Sequence, residues 1–349
     1  MTARLGTQAK MGLGEAIRYK STNKFLRYAS FALVISAIVI GNAAYESGNL
    51  AGAVMGFEDS PQIAGINLLL LLIGVAAFFL LYLGKYKYIE RFLVFLVSIM
   101  GIIFIVAVIL LQPPISNIIS GLFIPAIPEK SGLMVVGLIG TTVVPYNLFL
   151  HASASKTKWK EGDSLYLSRM DTILSVTLGG LITMAIMVTA AIAFEGNVQL
   201  IEGIGALGTQ LEPILGNWSK PFIAFGFLAA GFSSSITAPL AAAYATSEIL
   251  DWKDGLKNKK FKLVWAFVLF TGIIIASLGF RPTALILFAQ VTNGLLLPIL
   301  ATYLLWTVND KALMRKHVNS KLVNGIGVLV IIVTLLLGIK SITTALGII

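Results

Sequence analysis

The residues best suited to chemistry lie in one stretch, residues 140–151, which reads GTTVVPYNLFLH. The stretch falls inside an apolar segment that is long enough to cross a bilayer as a helix. Pro145 has no amide hydrogen, and its ring crowds the carbonyl group four residues earlier, so a helix should break there. Four residues are therefore predicted to form the hinge of a broken membrane helix: Gly140, Pro145, Tyr146 and Asn147.

A break at this depth leaves backbone carbonyl groups, such as that of Thr141, without a helical partner. Unpaired carbonyls persist within a membrane only when they are buried in protein or line a water-filled cavity. In transporters, broken helices of this kind coordinate ions and substrates. The alternative is a simple proline kink whose carbonyls are satisfied by nearby serine or threonine hydroxyl groups, and the stretch by itself fits both interpretations.

Two ionisable residues in apolar sequence are candidates for proton handling. Glu46 lies deep in an apolar segment, where a charge costs about 3 kcal/mol at the bilayer centre, so it should be protonated, paired or facing a wet interior. It could equally be a carboxylic acid that packs by hydrogen bonding to a neighbouring helix. His151, one turn beyond Asn147, could carry protons because histidine titrates near neutrality, or it could be a simple hydrogen-bonding residue.

Other polar residues stand in apolar segments further along. Gln290 and Asn293 are three residues apart, so they share one face of a helix. Their amide oxygens suit a hard divalent cation, although interhelical hydrogen bonds would use the same groups. The serine run at residues 233–235, before Pro239, favours close helix packing. Asp171 is predicted to pair with a nearby base or to cap a helix.

The composition identifies an integral membrane protein. Of the 349 residues, 57% are hydrophobic and 12% are charged, with a mean hydropathy of +0.89, whereas soluble domains carry about 25% charged residues. The chain has no cysteine, which excludes disulfides and thiolate metal sites, and its two histidines argue against a multi-histidine zinc or haem centre. The net charge of +10 reflects loop placement rather than nucleic-acid binding.

Apolar segments of membrane-spanning length recur along the whole chain. Most of the 26 lysines and arginines lie on one side of these segments, and this basic side is predicted to be cytoplasmic. The N-terminus is then inside and the C-terminus outside. Nine segments are predicted, at roughly 29–56, 63–84, 89–112, 132–153, 170–195, 220–249, 263–280, 282–308 and 322–346.

These motifs together resemble the NRAMP family of divalent metal transporters. The sixth helix of that family reads Ala-Val-Ile-Met-Pro-His-Asn-Leu-Tyr-Leu-His, and it coincides here at Pro145, Asn147, Leu148, Leu150 and His151. Other stretches resemble the seventh, eighth and tenth helices in the same order: residues 169–172, 229–248 and 289–291. The similarity covers nearly the whole chain.

The resemblance implies an all-α integral membrane protein with a leucine-transporter-like inverted-repeat fold. The span that holds Glu46 resembles the third of about eleven family helices, so we expect a chain shortened at its N-terminus, without the first helix and most of the second. One transmembrane domain, 1–349, is expected: a cytoplasmic segment 1–28, the rest of the first repeat 29–131, the second repeat 132–308, and a final helix 309–349.

The resemblance also implies secondary-active transport of divalent cations, Mn²⁺ or Fe²⁺ or alternatively Mg²⁺, by a protein of the bacterial inner membrane that is not an enzyme. The cation is the cargo, and no cofactor is expected. The expected partners are divalent cations, the lipid bilayer and, in a symport mechanism, protons, but no nucleic acid. The cation site would be bordered by the Thr141 carbonyl, the Val144 position and Gln290, with Asn293 nearby; Glu46 and His151 would handle protons.

Departures from the family pattern leave the ion and the proton coupling open. The methionine before the proline is Val144 here, and losing its thioether weakens discrimination against hard ions such as Mg²⁺. The histidine after the proline is Tyr146, and a second carboxylate of the third helix is Ala43. Two alternatives therefore stand beside metal transport: a transporter of amino acids or other small solutes with the same fold, and a truncated relative that does not transport.

Overall fold

The structure is a computed structural model. It describes the residues 1–21, 23–57, 60–63, 65–84, 87–124, 131, 134–135, 138, 144–159, 164–193, 208, 211–253 and 255–345. Within these ranges the chain is almost entirely helical, with one two-residue antiparallel strand pair, β1 (Gln62–Ile63) and β2 (Ile66–Asn67).

The helices follow one another with short connections. The first half contains α1 (Thr2–Arg4), a π-helical turn (Leu5–Ala9), α2 (Leu13–Lys20), α3 (Lys24–Val54), α4 (Leu68–Leu83), α5 (Lys87–Leu111) and α6 (Ile115–Phe123). The second half contains α7 (Pro145–Lys158), α8 (Ser164–Ala193), α9 (Glu212–Leu215), α10 (Ser219–Leu250), α11 (Lys259–Ser277), α12 (Pro282–Val308), α13 (Lys311–Met314) and α14 (Lys321–Ala345). Three 3₁₀ turns join neighbouring helices: Gly216–Trp218, Gly255–Lys257 and Arg315–His317.

Membrane-spanning length and apolar character are met by four of the described helices. These spans are Arg27–Val54, Leu165–Ile192, Gly216–Ile249 and Lys259–Ser277. A fifth arises if Val97–Leu111 and Ile115–Phe123, which are bent by 120° at residues 112–114, are counted as one span. Shorter apolar helices cover Leu68–Leu83, Leu296–Val308 and Lys321–Leu336. Each predicted segment coincides with a described helix except 132–153, of which residues 132–133, 136–137 and 139–143 lie outside the described part.

The centre of the fold is α3, which packs along α10, α11 and α12. Its inward face carries small and polar residues rather than leucine, and it buries Asn42 and Ser47 almost completely. The Asn42 side-chain amide donates a hydrogen bond of 2.9 Å to the backbone carbonyl of Ala238 in α10, next to Pro239. A polar side chain can therefore lie at this depth because a helix interrupted by proline offers it an acceptor.

Small residues bring α3 and α10 into direct contact, as the serine and glycine pattern predicted. At Gly231 of α10, an added β-carbon would lie 2.6 Å from the backbone oxygen of Asn49 and 2.6 Å from the β-carbon of Ala53. Both neighbours are fixed to the backbone of α3, so neither can move aside without shifting the helix. The serine run also behaves as predicted: the Ser235 hydroxyl donates to the Phe232 carbonyl at 2.9 Å.

We expect Gly231→Ala to destabilise the protein by about 1–3 kcal/mol, because it overpacks a contact that cannot relax. The measurement is the thermal unfolding midpoint of the purified chain in detergent. Gly179→Ala is the matched control, since a β-carbon at this glycine of α8 would meet no atom within 4 Å and alanine favours the helix. Equal midpoints for the two variants would contradict the packing argument.

An ion pair outside the membrane-spanning helices ties the N-terminal segment to the start of α13. Lys20 donates from Nζ to Oδ2 of Asp310 at 2.6 Å, and each side chain is only 17% exposed. This hydrogen bond is the main cause of a lowered pKa for the Asp310 carboxyl. The other oxygen of Asp310 accepts from the amide of Ala312 at 2.7 Å and caps α13.

The pH dependence of stability follows from the lowered pKa of Asp310. A carboxylate whose pKa falls on folding stabilises the native state above its unfolded pKa, and the contribution is lost as the pH falls through the folded pKa. We expect Asp310→Asn, whose amide oxygen can still cap α13, to lower the unfolding midpoint near neutral pH. The difference from the parent chain should shrink below about pH 4. A difference that is constant from neutral to acidic pH would refute the assignment.

Candidate functional site

The predicted helix break occurs at Pro145. Val144 has extended backbone angles (φ −70°, ψ 126°), and α7 begins with Pro145 as its first residue. The amide of Asn147 donates to the Val144 carbonyl at 3.0 Å, which closes the first turn. The break follows directly from proline chemistry, since the residue before a proline avoids the helical region. Two other residues predicted at this break, Gly140 and Thr141, lie outside the described residues.

The start of α7 is buried against α10 and α3. Val144 and Tyr146 are 4% and 5% exposed, and both belong to a cluster with Ala238 and Ala241 of α10. The Tyr146 ring meets the edge of Tyr45 from α3, with ring centroids 5.9 Å apart. The broken end is therefore enclosed by protein, as an interrupted helix at membrane depth requires. Asn147 is the exception among the described hinge residues, because its side chain is exposed.

Glu46 lies next to Tyr45 and is completely buried. Its Oε2 accepts a hydrogen bond of 3.2 Å from the Asn49 side-chain amide, whereas Oε1 has no partner among the described residues. On the other side, Gly272 of α11 lies so close that a β-carbon there would collide with Cβ and Cγ of Glu46. A charged carboxylate in this setting is costly, so the protonated form fits the pocket best.

A cavity of about 150 Å³ lies between α3 and α10, one turn from Glu46. Such a volume can hold several water molecules at about 30 Å³ each. Its lining mixes small and polar side chains: Tyr45, Gly48, Asn49, Gly52, Phe227, Ala230, Gly231 and Ser234. Water in this cavity would reach Asn49, the residue that binds the Glu46 carboxyl group. The buried acid thus has a short polar connection to a wettable space.

His151 is held between two threonines. Its Nδ1 lies 2.9 Å from the Thr2 hydroxyl, and its Nε2 lies 3.5 Å from the Thr172 hydroxyl. The single hydroxyl hydrogen of Thr172 is already donated to the carbonyl of Ser168 at 2.8 Å. Nε2 must therefore donate and Nδ1 must accept from Thr2. This neutral tautomer satisfies both ring nitrogens and joins α7 to α1 and α8.

The remaining predicted site residues are less fully described. Gln290 and Asn293 lie in the helical backbone of α12, and α12 packs along α3, but their side chains lie outside the described part of the structure. Among the described residues there is no group of three histidine, aspartate or glutamate side chains that could hold a metal ion. Asp171 pairs with Lys158 at 3.3 Å, in agreement with the prediction of a basic partner.

The sequence analysis missed a polar cluster at the basic end of α7 and α10, here called the Glu248 cluster: Gly14, Glu15, Ser153, Lys156 and Glu248. Oε2 of Glu248 accepts from the Gly14 amide at 3.0 Å, and its Oε1 accepts from the Ser153 hydroxyl. Lys156 donates to both carboxylate oxygens of Glu15 at 2.8 Å. The available signal was a glutamate at the end of the apolar run of α10.

Through the Glu248 cluster, α2 is attached to both α7 and α10. A second ion pair, Arg18 to Asp251 at 2.6 Å, adds to the attachment. Two cavities of about 200 and 370 Å³ adjoin the cluster, and both are lined by Ser153, Thr157 and Tyr244. Polar space therefore approaches the C-terminal half of α7 from the basic end of the molecule.

Comparison with known proteins agrees with this architecture. The sequence pattern of the natural resistance-associated macrophage protein-like (Nramp) family matches residues 1–344. A protein named divalent metal cation transporter MntH from Yersinia enterocolitica is 26% identical over 348 residues, covering 96% of this chain and 81% of that protein. A protein of the same name from Pectobacterium carotovorum is 26% identical over 341 residues, covering 95% and 79%.

Solved structures give the same fold. A mutant form of the Eremococcus coleocola manganese transporter superposes with a TM-score of 0.76 at 22% identity, covering 99% of this chain and 76% of that one. This likeness confirms the predicted all-α, leucine-transporter-like architecture of a multi-pass membrane protein. The relatives are named as transporters, not enzymes. The broken helix at Pro145, the buried acid on α3 and the match over residues 1–344 have one explanation: the chain belongs to the Nramp family.

Proposed function

We propose that this protein carries divalent metal cations across the membrane. The observation that carries the proposal is the extended Val144 followed by the start of α7 at Pro145, enclosed by α3 and α10. Interrupted helices at membrane depth are where transporters coordinate ions. Support comes from the relatives named divalent metal cation transporters and from structures of a manganese transporter with the same fold.

The cation site in this proposal is formed by the Thr141 backbone carbonyl, the Val144 position and Gln290, with Asn293 nearby. All the protein atoms offered at these positions are oxygens, because Val144 supplies no donor atom. Oxygen-only sites suit Mn²⁺, Mg²⁺ and related hard ions, whereas a thioether would favour softer metals. We therefore expect Mn²⁺ transport with weak discrimination against Mg²⁺.

Proton coupling and orientation complete the proposal. Glu46 would exchange a proton through Asn49 and the adjoining cavity, which is the only polar connection to that acid among the described residues. His151 would act as a secondary proton carrier near the basic end. The basic end faces the cytoplasm of a bacterial inner membrane, with a single transmembrane domain over 1–349. The cavities beside Ser153 would then open inward.

The test is Mn²⁺ uptake into liposomes that contain the purified chain, followed with a metal-sensitive dye inside. Uptake should be saturable and should be lost in Gln290→Ala and in Asn293→Ala. Excess Mg²⁺ should compete with Mn²⁺, whereas amino acids should not. Absence of Mn²⁺ and Mg²⁺ uptake, together with uptake of an amino acid, would establish the small-solute alternative instead.

We expect Val144→Met to shift selectivity towards soft ions. A thioether next to the Thr141 carbonyl should raise the uptake of Cd²⁺ relative to Mg²⁺. Val144→Leu is the matched control, because it also enlarges the side chain but adds no sulfur. The measurement is the ratio of initial Cd²⁺ and Mg²⁺ uptake rates in each variant. An equal ratio in the two variants would show that position 144 does not face the cation.

A further inference from the structure

A cavity of about 470 Å³ opens between the start of α3 and the end of α10. It lies at the basic end of the molecule but on the side of α2 away from the Glu248 cluster's cavities, with Asp251 shared between the two regions. Its lining divides into a charged mouth and an apolar floor. The lining residues are Arg18, Arg27, Tyr28, Phe31, Ala32, Ile35, Ile249, Leu250 and Asp251.

The mouth of this cavity carries an uncompensated positive charge. Arg18 is neutralised by its ion pair with Asp251 at 2.6 Å. Arg27 has no carboxylate partner among the described side chains, and its guanidinium lies over the Phe31 ring, 5.5 Å from the ring centroid. Arg27 is also the fourth residue of α3, where the helix terminus adds a partial positive charge. A group that fills the mouth should therefore be an anion.

The floor of the cavity is apolar and lies along the first turns of the membrane helix. Phe31 is 7% exposed and Ile249 is fully buried. Eight residues separate Arg27 from Ile35, which is about 12 Å along a helix. A soluble anion would fill only the mouth and leave this floor in contact with water. An anion with an attached hydrocarbon chain would fill both.

We propose that this cavity binds an anionic glycerophospholipid of the membrane leaflet at the basic end. Its phosphate would contact Arg27 and the exposed Tyr28 hydroxyl, and one acyl chain would lie against Phe31, Ile35 and Ile249. Basic pockets between membrane helices are known to accept such headgroups. The lipid would bridge the start of α3 and the end of α10, the two helices with the largest shared contact in the fold. The proposal does not depend on which solute is transported.

The test is lipid binding to the purified full-length chain by native mass spectrometry. Phosphatidylglycerol should bind more tightly than phosphatidylcholine with the same acyl chains. Arg27→Gln should weaken phosphatidylglycerol binding about fivefold, the effect of one basic residue near an anionic surface. Arg27→Lys should retain most of the affinity. Arg91→Gln is the matched control, an exposed arginine of α5 outside the cavity, and it should not change binding at this site.

A second arm separates the lipid from a free anion. Phosphatidylglycerol should raise the thermal unfolding midpoint of the parent chain more than phosphatidylcholine does, whereas inorganic phosphate at millimolar concentration should not. Equal binding of the two lipids, or equal loss of affinity in Arg27→Gln and Arg91→Gln, would overturn the proposal. Stabilisation by inorganic phosphate alone would show a simple anion site and would also overturn it.

Discussion

Glu46→Gln should abolish the proton movement that accompanies metal uptake while leaving the protein folded. Glutamine has the same shape and is neutral, as the buried acid is when protonated, and it can still accept the hydrogen bond from Asn49. It cannot exchange a proton. We therefore expect an unfolding midpoint close to that of the parent chain and no Mn²⁺-dependent acidification in liposomes that carry an internal pH dye.

Two further variants sharpen the result at Glu46. Glu46→Ala leaves the buried Asn49 amide without its partner, which should cost about 1–3 kcal/mol of stability. Glu212→Gln is the matched control for transport, since it neutralises an exposed carboxylate in α9. Mn²⁺-driven proton movement that survives in Glu46→Gln would remove Glu46 from the proton route. A large loss of stability in Glu46→Gln would instead show that the acid is charged and paired in the native state.

Glu248→Ala should release α2 from the body of the protein. The change leaves the Gly14 amide and the Ser153 hydroxyl without their acceptor. Losing hydrogen bonds to a buried carboxylate should cost about 3 kcal/mol, which corresponds to roughly a hundredfold larger population of the open form. Because α2 covers the basic ends of α7 and α10, its release should expose that end of the transport pathway.

Cysteine labelling can measure this opening, because the native chain contains no cysteine. Ile17 is fully buried on α2, so an Ile17→Cys variant should react slowly with a water-soluble maleimide. Adding Glu248→Ala should raise the labelling rate about a hundredfold if local opening limits the reaction. Thr157→Ala, an exposed change on α7, should leave the rate unchanged. Unchanged labelling in the Glu248→Ala background would show that α2 is held by other contacts.

The parts of the fold that depend on local chemistry could be predicted from the sequence. The break at Pro145 follows from one missing amide hydrogen, and the structure has it at that residue. The helices follow from the length of their apolar runs. The boundaries differ by several residues because polar caps extend them: α3 begins at Lys24, after Asn23 caps its amides, and not near residue 29.

The parts that depend on distant contacts could not be predicted. Glu248 and Gly14 are 234 positions apart, and nothing in either local sequence indicates that they meet. His151 was open to two interpretations, because only the placement of Thr2 and Thr172 shows that both ring nitrogens are satisfied. For the cation site, the sequence suggests donor atoms at Thr141, Gln290 and Asn293, and their roles stay predictions.

The contact between Glu248 and Gly14 also affects what sequence comparison can detect. Gly14 contributes only its backbone amide, and a β-carbon there would lie 2.7 Å from Cβ of Glu248 and 3.1 Å from the Ala245 carbonyl. No side chain at position 14 could therefore compensate for a change at position 248. In related sequences, this contact should look like two positions that are each restricted independently rather than a pair that changes together. Methods that infer contacts from correlated substitutions would miss the attachment of α2.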